Sequence, residues 1–129
     1  MTAAAAVVGV GVGAALGAWV RWGLASALNG RLPELPLGTL AANAIGGFLI
    51  GLAMEWFGRH GGWSEELRLF AVTGFLGALT TFSTFSAEVV AALLRAHYGW
   101  ALLIASGHLA GSLLATVAGI FCVRWLAAS

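Results

Sequence analysis

Five hydroxyl side chains crowd into seven positions, Thr80, Thr81, Ser83, Thr84 and Ser86, with Phe82 and Phe85 set among them. Hydroxyls donate and accept hydrogen bonds, and a phenyl ring carries a positive edge and a negative face. Such a run can hold or pass something small and polar. Phe82 and Phe85 are three apart, about 4.5 Å along a helix axis and on one face, a spacing that suits two successive stations for an anion. A plainer reading has the phenylalanines as packing or lipid contacts and the hydroxyls bonding back to their own helix.

Three other polar positions belong beside this run. Thr39 and Asn43 are four apart and share a helix face that Gly47 and Gly51 extend. A buried asparagine needs partners, so Asn43 is either a clamp between helices or an amide donating to a passing anion. His108 and Ser112 are again four apart. A lone histidine there is more often a packing residue than a ligand, and no second His or Cys stands at transition-metal spacing. Arg21 sits between Trp19 and Trp22. It either snorkels to the membrane interface or places positive charge at a vestibule mouth.

The elements that carry these residues are membrane helices. The 129 residues are 60% hydrophobic and 9% charged, against about 25% charged in soluble domains. An all-α integral membrane fold follows, with one four-helix transmembrane domain over residues 1–129. Ala3 to about Leu28 is the first span, read as a helix rather than a signal peptide. Leu37 to Met54, Leu69 to Ala87 and Tyr98 to Val123 follow. Glu55 to Arg68 reads as a solvated turn, and Glu88 as lying near a helix end. The Thr80–Thr81 pair after Gly77 weakens the third helix locally, and a weakened membrane helix survives only where protein or water satisfies its backbone.

Small residues repeat every four positions at Gly9, Gly13 and Gly17, and again at Gly107, Gly111, Ala115 and Gly119. Each series predicts a smooth face for close helix packing. Cys122 is the single cysteine and cannot form an internal disulfide. The net charge of +1 gives no basic patch for nucleic acid. With the N-terminus inside, Arg59, Arg68 and Arg124 fall on one side of the membrane and Arg21, Arg31 and Arg95 on the other. Three against three leaves no excess to fix orientation, so both orientations are expected. Two opposed copies would be related by a two-fold axis in the membrane plane, as inverted repeats are in larger transporters.

GALTTFSTFSAE (77–88), GTLAANAIGGFLIG (38–51) and GAALGAWVRW (13–22) together resemble the Fluc, or CrcB, family of small fluoride channels. The resemblance covers all four spans. It implies a multi-pass protein of the bacterial cell inner membrane, not an enzyme, that exports fluoride passively to relieve its toxicity. It implies a dual-topology antiparallel homodimer with lipid, fluoride and sodium as partners. The third helix would be broken mid-membrane, with a central structural Na+ on backbone carbonyls at Gly77 and Thr80. The fluoride pathway would include Asn43, Phe82 and Phe85, with Thr39, Ser83, Thr84, Glu88, Ser112 and Arg21. Some members have Tyr and Ser where this chain has Ile104 and His108.

The rival readings need other residues. A four-helix proton-coupled cation or multidrug exporter needs a carboxylate within the membrane, and the interiors of the first two spans have none. A scaffold protein could be built on the glycine faces alone. An intramembrane hydrolase would need a base and an orienting partner, which nothing in the sequence marks.

Overall fold

The computed structural model describes residues 1–129. The chain forms α1 (Ala3–Leu28), α2 (Leu37–Arg59), α3 (Glu65–Leu94) and α4 (Tyr98–Ala128), all long and apolar enough to cross a membrane. The first span runs as the sequence predicts. The other three continue beyond their predicted ends, because apolar length marks the lipid-facing stretch and not where the backbone stops hydrogen bonding.

The connections are short and specific. Asn29 ends α1, and its Oδ1 accepts from the N–H groups of Gly38 (2.7 Å) and Thr39 (3.2 Å). One asparagine therefore closes one helix and caps the next, where Pro36 has no side chain able to do so. Beyond α2, Gly61 and Gly62 both take positive φ, +93° and +90°, which glycine adopts without strain. The expected turn from Glu55 to Arg68 is largely helical. Glu55 pairs with Arg59 (2.7 Å) and with Arg124 (3.1 Å), tying the end of α2 to the end of α4. At the opposite end Glu34 meets His97 (3.0 Å) and Arg95 (4.0 Å). These pairs place the α1–α2 and α3–α4 connections together, the arrangement that the arginine count assumes.

α3 is the irregular element. Glu65–Arg68 is α-helical, Leu69–Leu76 runs in wider π-helical turns, and Gly77–Leu79 returns to α geometry. The helix then stops. Thr80 (φ −85°, ψ 154°) and Thr81 (φ −152°, ψ 122°) are extended, and a new helix covers Phe82–Leu94. The interruption falls on the Thr–Thr pair that the sequence picks out as weak. Thr81 caps the new helix, its Oγ1 accepting from Thr84 N–H at 3.1 Å.

α2 packs chiefly on α4, and α1 on the first arm of α3. Both contacts use glycine as a place for a neighbouring backbone. An added Cβ would strike the Phe70 carbonyl at Gly13, the Phe75 carbonyl at Gly17 and the Thr116 carbonyl at Gly51. The two predicted glycine faces are only partly used. At Gly9 and Gly107 an added Cβ would have nothing within 4 Å, and at Gly111 it would make only an ordinary contact with Leu40. In α4 only Gly119 meets a neighbour tightly, at the Phe48 carbonyl.

Candidate functional site

The break in α3 opens on a groove of about 530 Å³ between α2, α3 and α4. Asn43, Gly77, Thr80, Phe82, Phe85 and Ser112 all line it, joined by Thr81 and His108. The polar faces of three helices thus converge, as their spacing requires. Gly46 makes room for the break, since a Cβ there would run into the Thr80 methyl.

Asn43 is a clamp. Its Oδ1 accepts from Thr81 N–H at 2.8 Å, and its Nδ2 donates to the Thr81 carbonyl at 3.1 Å. A second N–H of the same amide reaches His108 Nδ1, also at 3.1 Å. Both amide hydrogens are therefore committed within the chain. Of the two sequence readings, the interhelical clamp describes this structure. Its chemistry is replacement: the peptide unit that left the helix at Thr81 finds on Asn43 the acceptor and donor it lost.

The break also frees carbonyls. In an unbroken helix the Gly77 carbonyl would take Thr81 N–H, and the Thr80 carbonyl would take Thr84 N–H. Thr81 N–H goes instead to Asn43, and Thr84 N–H to Thr81 Oγ1. Gly77 and Thr80 thereby offer oxygen atoms of the hard type that suits an alkali cation. The Ala78 carbonyl between them accepts from Arg21 Nε at 2.8 Å. Arg21 thus neither snorkels away nor stands free. It reaches across from α1 and caps the broken end, a contact that two tryptophan neighbours could not reveal.

The phenylalanines share a wall but differ in setting. Their centroids are 5.5 Å apart with planes at 73°, edge to face. Phe82 is 78% exposed. Phe85 is half-buried and stacked on His108, centroids 4.7 Å apart and planes at 24°. His108 is buried. Its link to Asn43 and Phe85 is the contact that sequence reasoning missed. The signal available was its four-residue spacing from Ser112, which puts both on one face of α4.

Four expected positions stand away from the groove lining. Thr39 Oγ1 donates to Glu88 Oε1 at 2.6 Å, a side-chain bond from α2 to α3. Glu88 is not near a helix end, since its helix runs on to Leu94. Ser83 is exposed, with its Oγ 3.3 Å from Thr81 Oγ1. Thr84 is fixed through its backbone by the Thr81 cap.

A family model described as CrcB-like protein, Camphor Resistance (CrcB), matches residues 8–120. The chain belongs to the CrcB family. It is 57% identical over 95% of both chains to a protein of Nitrosospira multiformis named fluoride-specific ion channel FluC. Proteins of the same name from Cupriavidus necator (59% identical, covering 93% of this chain and 95% of the relative) and Thiobacillus denitrificans (57%, covering 94% and 98%) are similar throughout. The family sequence thus spans all four helices, and this CrcB chain is a multi-pass membrane protein. Within the family match lie the interrupted α3, the Asn43 clamp and the groove between them.

Proposed function

We propose that this chain is a fluoride-selective channel, which lets the anion leave passively across the cell inner membrane and so relieves fluoride toxicity. The observation that carries the reading is the break at Thr80–Thr81 opening on a groove lined by polar groups and phenyl rings, in a chain whose CrcB relatives are named as fluoride-specific channels. Fluoride is small and holds its water tightly, so a selective path must replace that water with donors and ring edges. Thr81 and Phe82 form the N-terminus of Phe82–Leu94, where unpaired N–H groups favour negative charge. Ser112, Phe82 and Phe85 form the wall, Asn43 fixes the break, and Thr39, Ser83, Thr84 and Glu88 lead outward along α3. Arg21 holds positive charge beside the broken end.

The working unit in this proposal is an antiparallel homodimer embedded in lipid. Support comes from Phe82, 78% exposed beside the groove and open to a second copy, and from the even arginine count. The break would then lie mid-membrane, and the Gly77 and Thr80 carbonyls of both copies would hold a structural sodium ion. That ion would supply fixed positive charge that offsets the cost of bringing anions into low dielectric.

The test is efflux from liposomes loaded with potassium fluoride or potassium chloride, started with a potassium ionophore and read by ion-selective electrodes. Fluoride is expected to leave and chloride to stay. Comparable chloride flux would refute selectivity, and no fluoride flux would refute the function.

A further inference from the structure

Two buried side-chain polar atoms have no hydrogen-bond partner, Glu88 Oε2 and His108 Nε2. His108 is only 3% exposed, yet it lines the groove. Its ring is held by the Phe85 stack and by Asn43 Nδ2, 3.1 Å from Nδ1.

The backbone decides the direction of that last bond. Thr81 N–H can only donate, so the Asn43 atom 2.8 Å from it is the amide oxygen. The Asn43 atom that meets the Thr81 carbonyl is then the amide nitrogen. A carboxamide NH2 group offers hydrogens, so His108 Nδ1 accepts and carries no proton. A neutral imidazole with a bare Nδ1 is protonated on Nε2. The orphan atom is therefore an N–H donor with nothing to donate to, a costly state that an acceptor in the groove would relieve.

Resting on the channel reading, we propose that His108 is an anion-binding residue of the groove, its Nε2–H donating directly to fluoride. Asn43 acts one step behind it. It spends both hydrogens on Thr81 and His108, and so transmits the backbone break to the tautomer of the ring. A neutral donor suits conduction, because a site must attract the ion and also release it.

The experiment uses full-length protein with 15N-labelled histidine in lipid bilayers, the His108 signals being assigned by their loss in His108→Asn. The ring is expected to be the neutral Nε2–H tautomer. Sodium fluoride is expected to shift the Nε2 resonance and add a coupling to 19F, and sodium chloride at equal concentration to leave it unchanged. A proton on Nδ1, or an Nε2 signal indifferent to fluoride, overturns the proposal. Transport gives the second arm. In His108→Asn the new Oδ1 takes over from Nδ1 toward Asn43 while the outer donor is lost. Fluoride flux per assembled protein is expected to fall roughly ten-fold, equivalent to about 1.4 kcal/mol. A merely structural His108 predicts wild-type flux in that variant, and that result would also overturn the proposal. Absent fluoride flux in the wild type counts against the channel reading, while the NMR titration still decides whether His108 binds the anion.

Discussion

The two arms of α3 are held by different physics. The arm before the break lies against α1 with backbone on backbone: Gly13 and Gly17 face the Phe70 and Phe75 carbonyls, and Gly74 faces that of Val10. The arm after it is held by polar side chains, through Asn43 with Thr81, Thr39 with Glu88, and Phe85 on His108. Glycine contacts of the first kind leave no slack, since the nearest atoms belong to main chain. The second kind leaves a groove and two orphan polar atoms. The contrast separates a scaffold from a site: the dry contact fixes where the helix must stop, and the polar arm uses the stop.

The largest effect is expected where the scaffold is closed. In Gly17→Leu the new Cβ would fall on the Phe75 carbonyl and 3.0 Å from Leu79 N. Neither atom can move without moving α3. A loss of about 3 kcal/mol or more is expected, at the upper end of overpacking costs. Size-exclusion chromatography and thermal unfolding in detergent would show it as lost monodisperse protein or a lowered midpoint. A well-behaved Gly17→Leu protein would break the comparison at its first term.

The Asn43 clamp comes next. Asn43→Ala strands the Thr81 N–H, the Thr81 carbonyl and His108 Nδ1 together. Each unmatched buried group costs about 1–3 kcal/mol, and water entering the groove will recover part of that. A destabilisation of about 2 kcal/mol and loss of fluoride flux per folded protein are expected. Asn43→Asp keeps an acceptor for Thr81 N–H but has no amide hydrogens, so it should lie between wild type and Ala in stability. Unchanged stability in both variants would mean that the break is held by something other than this side chain.

The two phenylalanines divide the same comparison more finely. Phe85 stacks on His108 and is half-buried, whereas Phe82 is 78% exposed in the single chain. Phe85→Ile should cost about 1–2 kcal/mol in repacking and lost stacking. Phe82→Ile should cost less than about 1 kcal/mol by the same measure. Both remove a ring edge, so both should lower fluoride efflux per assembled protein. Wild-type flux from both would leave the rings with packing roles only.

What the sequence made legible follows from chemistry that lipid does not mask. The four spans are visible as uncharged length, the break as a Thr–Thr pair, and the clamp face as Thr39, Asn43, Gly47 and Gly51 at four-residue spacing. The π-helical turns of Leu69–Leu76 are not visible, because they depend on how α1 and α3 press together and not on local propensity. Arg21 with Ala78, and Asn43 with His108, join residues 57 and 65 positions apart. Spacing along one helix cannot show which atoms of another it will meet. The pathway assignment of Glu88 rested on family likeness, and only the fold shows that its partner is Thr39.

The smallest expected effect tests why a periodic glycine pattern misleads. Gly9, Gly13 and Gly17 are equivalent in sequence, since each lies four residues from the next on one face of α1. They are not equivalent in the fold. Gly13 and Gly17 are buried against α3, while Gly9 is in open space with nothing within 4 Å of an added Cβ. Membrane helices cross at an angle, so close approach extends over a few turns and then ends. At Gly9 an alanine meets no atom and limits the backbone freedom of the unfolded chain, so Gly9→Ala should stabilise the helix by about 0.5–1 kcal/mol. At Gly13 the same methyl meets the Phe70 carbonyl and should destabilise by about 1–3 kcal/mol. Thermal midpoints of the two variants in one detergent should therefore move in opposite directions from wild type. A loss at Gly9 as large as that at Gly13 would mean that a neighbour absent from the single chain covers this turn of α1. The dry contact would then continue into a second copy instead of ending at Gly13.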